Sequence, residues 1–115
     1  LNIKKKYQIK IISTIQVKKK DTIKKYKSLE KASEKIRWDS SGYEESLSWN
    51  YDWLKTVSTN VEKMVAGNIT IDKIQDLKNL ANIIDVSGAL ETNKVKDINK
   101  IKKFNTEIKK LNNEN

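Results

Sequence analysis

Three segments of the chain carry apolar residues at the same offsets, and this spacing constrains the fold more than any other feature. Ile23, Tyr26, Leu29, Ala32 and Ile36 are spaced as Ile71, Ile74, Leu77, Leu80 and Ile84 are, and as Val95, Ile98, Ile101, Phe104 and Ile108 are. On a helix of 3.6 residues per turn, steps of three rotate a stripe by about −60° each. The result is a broad, slanting apolar face suited to crossed helices.

The ends of these helices follow from cap residues. Asp21 or Thr22 can open a helix over 21–38, and Ser41 with Glu44 makes a capping box before a helix over 43–66. Thr70 can open a third over 71–86, and Thr92 or Asn93 a fourth over 93–112. Gly67 and Gly88 stand where left-handed C-terminal caps would fall, and the chain has no proline to break a helix.

The first twenty residues read differently. Tyr7, Ile9, Ile11, Ser13, Ile15 and Val17 alternate with Gln8, Lys10, Thr14 and Gln16, which is strand periodicity in a β-branched segment. It is one long strand or a hairpin turning at Ser13-Thr14. The expected architecture is therefore mainly α: a single compact four-helix domain over 1–115, with a short N-terminal β-strand or hairpin in a basic segment, 1–20.

Absences narrow the chemistry. The 115 residues include no Cys and no His, so thiol nucleophiles, disulfides, imidazole bases and zinc-finger ligand sets are excluded. No metal and no cofactor is expected. The longest apolar candidate for a membrane span, Ile9 to Val17, is interrupted by Lys10, Ser13, Thr14 and Gln16, so no span is expected either. The sequence opens on Leu1 rather than Met, which suits a trimmed, leader-processed or internally initiated product. A cytoplasmic location is favoured, with secretion after leader removal as the alternative.

The formal charge of +9 is unevenly placed. Residues 1–37 hold 13 basic and 3 acidic side chains, residues 38–72 hold 2 and 6, and residues 73–115 hold 9 and 6. Lys, Ile and Asn dominate and Arg37 is the lone arginine, a usage that AT-rich codons favour. Lys4, Lys5, Lys6, Lys10, Lys18, Lys19, Lys20, Lys24, Lys25 and Lys27 could nevertheless form one positive surface for the phosphates of a nucleic acid.

Five of the eight aromatic residues fall between Trp38 and Trp53, in the acidic third. Trp49 and Trp53 are four apart and would share a helical face. Trp38, Trp49 and Trp53 are either core rings or anchors for a protein partner. Residues 71–111 loosely follow the order of a helix-turn-helix, but the turn from Ser87 to Thr92 is long and no Arg or Gln stands at a base-reading position. Carboxylate pairs, Asp72 with Asp76 and Glu44 with Glu45, and the Glu107-Ile108-Lys109 string fall in helical patterns, where the helix dipole accounts for the first-turn acids.

These features point to a non-catalytic basic subunit that contacts nucleic acid phosphates, DNA or RNA, within a larger protein complex. The alternative is a protein-interaction module, an inhibitor or secreted effector, that uses the aromatic middle helix and the N-terminal strand.

Overall fold

A computed structural model describes residues 6–40 and 49–113. Its centre is a sheet of four parallel strands in the order β1-β2-β3-β4, formed by Ile12–Val17, Lys35–Ser40, Glu62–Val65 and Ile83–Ile84. Short helical segments alternate with the strands. A 3-10 turn, Lys20–Lys25, runs into α1, Tyr26–Leu29. The 3-10 turn Tyr51–Thr56 precedes β3, and the 3-10 turn Ile71–Lys73 runs into α2, Ile74–Leu77. Beyond β4 come a 3-10 turn, Gly88–Leu90, and a small antiparallel pair, β5 (Glu91–Thr92) with β6 (Val95–Lys96). The long helix α3, Ile98–Asn113, follows.

This is an α/β fold and corrects the expectation of a mainly α, four-helix domain. The stretch expected as one helix over 21–38 is a helical turn followed by a strand. Ile36, Trp38 and Ser40 are buried while Lys35, Arg37 and Asp39 between them are half-buried, the period-two pattern of a strand. The same correction applies to 71–86, where β4 follows α2. Of the helix expected over 43–66, residues 41–48, including the Ser41 and Glu44 capping box, lie outside the described residues; the remainder is a 3-10 turn and β3. The helix expected over 93–112 begins later, because Asn93 (φ 51°) and Lys94 (φ 64°) form the two-residue turn of the β5–β6 hairpin. Asp97 then caps α3, its carboxylate accepting from the Asn99 N–H at 2.9 Å and the Lys100 N–H at 3.3 Å.

Alternation sets the two faces of the sheet. Ile15 and Val17 of β1, Ile36 and Trp38 of β2 and Val65 of β3 point to one side, against Ile23, Tyr26, Leu54, Ile74 and Leu77 from the helical segments and Ile69 from the loop after β3. Trp38 is wholly buried at the centre; its ring meets Tyr26 at 6.3 Å between centroids, and its indole N–H donates to the Ile23 carbonyl at 3.4 Å. Burying side chains of this size contributes about 1.5–3 kcal/mol each. On the other side Ile12, Thr14 and Gln16 are exposed, and Lys35, Arg37, Asp39 and Met64 are half-buried.

Parallel strands in sequential order, with helical segments packed on one side, match an arc of a β/α barrel wall. Every strand then delivers its C-terminal end to the same rim.

Candidate active site

That rim holds a cleft of about 520 Å³. Arg37 and Asp39 line it from β2, Ala66, Gly67, Asn68 and Ile69 from the loop after β3, and Asp85, Ser87, Gly88 and Ala89 from the segment after β4. Adjacent strand ends place these residues together although they span half the sequence.

Two of the lining walls are backbone more than side chain. The β3 loop starts by extending the ladder, with the Ala66 N–H donating to the Trp38 carbonyl at 2.9 Å. Gly67 (φ +104°) and Asn68 (φ 47°) then take left-handed conformations in succession and turn the chain. Lys73 Nζ donates to the Asn68 carbonyl at 3.2 Å, and Trp49 Nε1 donates to the Ala66 carbonyl at 3.0 Å. The β4 wall is tied to the hairpin: Lys96 Nζ donates to the Ser87 carbonyl at 3.1 Å and to Glu91 Oε2 at 2.6 Å. The hydrogen bond from Lys96, aided by its charge and by Ser87, holds the Glu91 carboxyl below its ordinary value.

Charge in the cleft centres on Arg37. Its guanidinium reaches Asp39 Oδ2 through Nη1 at 2.9 Å and Asp85 Oδ2 through Nε at 2.8 Å. Two carboxylates are thus held around one permanent cation. Asp39 and Asp85 are the carboxylates among the lining residues. Among the described residues no group of three or more carboxylates stands where a metal ion could be held.

Residues 1–107 match the family described as PRAI: N-(5'phosphoribosyl)anthranilate (PRA) isomerase. The chain belongs to this isomerase family. Similar proteins include the N-(5'-phosphoribosyl)anthranilate isomerase of Saccharomyces cerevisiae, 38% identical over 78 residues, which are 63% of this chain and 35% of that protein. The isomerase of the same name from Wickerhamomyces anomalus is 37% identical over 70 residues, 57% of this chain and 29% of that protein. The chain therefore spans about a third of the length of the curated relatives it matches. No solved structure gives a significant match.

Family membership overturns the expectation of a non-catalytic nucleic-acid-binding subunit, and with it the interaction-module alternative and the nucleic-acid partner: the relatives are enzymes by name. The structure places the lysines expected to act together at both ends of β1. Lys6 and Lys10 precede β1, Lys18, Lys19 and Lys20 follow it, Lys24 and Lys25 lie in the 3-10 turn and Lys27 in α1, all exposed. At about 3.3 Å per strand residue, Lys10 and Lys18 stand roughly 26 Å apart at opposite ends of the strand. Lys4 and Lys5 lie outside the described residues. Of the three tryptophans, Trp38 is core, while Trp49 and Trp53 are half-buried and packed against it.

The cleft residues themselves were not singled out by composition or spacing. Gly67 and Gly88 read as helix caps, and Asp39 falls between the helices expected over 21–38 and 43–66. The available signal was an apolar run followed by a glycine: Met64-Val65-Ala66 before Gly67, and Ile83-Ile84 with Val86 before Gly88.

Proposed function

We propose that this chain builds the cleft of an N-(5'-phosphoribosyl)anthranilate isomerase, with the substrate's phosphate held by the loops after β3 and β4 and proton transfer carried by Asp39. The observation that carries this reading is the rim cleft itself, where two glycine-containing strand-end loops meet a carboxylate of β2 in a chain of this family. Loops after neighbouring strands at the C-terminal face are the usual phosphate seat of β/α barrels. Ala66, Gly67, Gly88 and Ala89 are small enough to let phosphate oxygens approach main-chain N–H groups.

An isomerase adds and removes no atoms, so in an isomerisation by proton transfer the proton taken from one position of the substrate is returned to another, and one carboxyl can take it and give it back. Arg37 stays protonated, which leaves Asp39 and Asp85. Asp39 is the better placed: it belongs to an inner strand, and its side chain is 24% exposed against 45% for Asp85. Arg37 orients it. Asp85 holds the same guanidinium through its Nε.

The half-exposed sheet face and the outer edges of β1 and β4 call for further parallel strands, because parallel sheets are covered on both faces. Those strands belong to the remainder of the isomerase. Protein purified from its natural source is expected to convert N-(5'-phosphoribosyl)anthranilate to its isomer, followed by chromatography of substrate and product. Absence of conversion overturns the reading.

A further inference from the structure

We infer that Trp49, which lies outside the cleft, is a positioning residue that aims the Gly67 amide at the phosphate; this rests on the function proposed above. The indole Nε1–H donates to the Ala66 carbonyl at 3.0 Å. That carbonyl and the Gly67 N–H belong to one peptide unit, and in a planar trans peptide the two point in opposite directions. Gripping the oxygen on one side therefore sets the direction of the N–H on the other. Gly67 lines the cleft and Trp49 does not.

The remaining freedom of this peptide unit is removed by its neighbours. On the N-terminal side, the Ala66 N–H is bonded to Trp38 of β2 at 2.9 Å. On the C-terminal side, Lys73 holds the Asn68 carbonyl at 3.2 Å. Gly67 itself rests against Ser40, with no room for a side chain between them. The indole is fixed in turn, edge-on to the ring of buried Tyr51 with centroids 5.1 Å apart and planes at 82°. Of these restraints, the Trp49 hydrogen bond is the one that a side-chain substitution can delete while leaving a ring in place.

The test compares the protein with Trp49→Phe, which keeps an aromatic ring against Tyr51 and loses the N–H donor. Inorganic phosphate is titrated while the Gly67 amide resonance is followed by two-dimensional NMR, and isomerase kinetics are measured in parallel. The unaltered protein is expected to shift the Gly67 amide on adding phosphate. Trp49→Phe is expected to lose that response, to weaken phosphate binding about tenfold, and to raise KM by a similar factor with kcat nearly unchanged. A merely structural tryptophan would lower the melting temperature without moving KM or the amide response.

Should the phenylalanine variant not fold, a benzothienyl analogue of tryptophan at position 49, with sulfur in place of the N–H, makes the same comparison with the bicyclic shape kept. Phosphate binding equal to that of the unaltered protein, in whichever variant folds, overturns the inference alone. Failure of the unaltered protein to shift Gly67 with phosphate overturns it together with the proposed phosphate seat.

Discussion

A β-carbon added to Gly67 would stand 2.7 Å from Ser40 Oγ and 2.8 Å from the Ser40 backbone nitrogen. Ser40 is the last residue of β2, so the loop after β3 is pressed onto the end of the neighbouring strand and only glycine fits there. The positive φ of Gly67 adds to the constraint. Gly67→Ala is expected to destabilise the protein by roughly 2–4 kcal/mol, from left-handed strain together with overpacking. Gly88→Ala, where nothing lies within 4 Å of the added carbon, should leave the unfolding midpoint nearly unchanged. Urea unfolding of the two variants side by side checks the contrast.

The β5–β6 turn holds a residue that its backbone does not suit. Asn93 tolerates a left-handed conformation, whereas Lys94 at φ 64° pays for its Cβ. Lys94→Gly should stabilise the protein by about 0.5–1 kcal/mol, the increased freedom of the unfolded chain offsetting part of the gain. Thermal melting would show a rise; a fall would mean that the lysine side chain contributes more than the strain costs.

Acid should loosen the start of α3. The Thr92 hydroxyl, the Lys100 and Asn99 backbone N–H groups and the Lys100 charge hold the Asp97 carboxyl below its ordinary value. A carboxyl whose folded pKa is depressed contributes stability that is complete above its unfolded value, about 4, and lost as pH falls through the folded value. Asp97→Ala should therefore melt at a lower temperature than the unaltered protein at pH 7, and the difference should shrink as pH falls below about 4. Melting curves from pH 7 to pH 2.5 test this. A gap independent of pH would assign the effect to something other than the ionised cap.

Trp38 and Trp53 should separate by burial. Trp38→Ala empties the centre of the core and is expected to cost about 3–5 kcal/mol, enough to unfold a marginal domain. Half-buried Trp53 should cost about 1–2 kcal/mol on the same change. Equal losses would contradict the packing described.

The shared apolar spacing was informative for a reason other than the helices it suggests. Ile23, Tyr26 and Leu29 lie in a helical turn and Ile36 in the next strand; Ile71, Ile74 and Leu77 lie in a helical turn and Ile84 in the next strand. The first two sets mark a helix-to-strand unit used twice, each packed on the same side of the sheet. A three-residue step followed by a gap cannot be told from one long helix when the strands are only two to six residues long and buried. The third set begins in the hairpin, and only its later members follow the helix α3. By contrast, the later half of the strand expected from Tyr7 to Val17 was legible, because its polar residues alternate with Ile15 and Val17; it is one strand without a turn at Ser13-Thr14, and residues 7–11 precede it. The core role of Trp38 stood among the expectations. The rim cleft was not legible, since Asp39, Gly67 and Gly88 are distant in the chain and meet only where parallel strands end side by side.

The role of Asp39 is the centre of this account, and the isomerase kinetics of Asp39→Asn test it most directly. The amide keeps the size of the side chain and its contact with Arg37 but cannot exchange a proton. Conversion of N-(5'-phosphoribosyl)anthranilate is expected to fall in kcat by about 10²–10⁴-fold, with the melting temperature little changed. A kcat equal to that of the unaltered protein would contradict the assignment of proton transfer to Asp39.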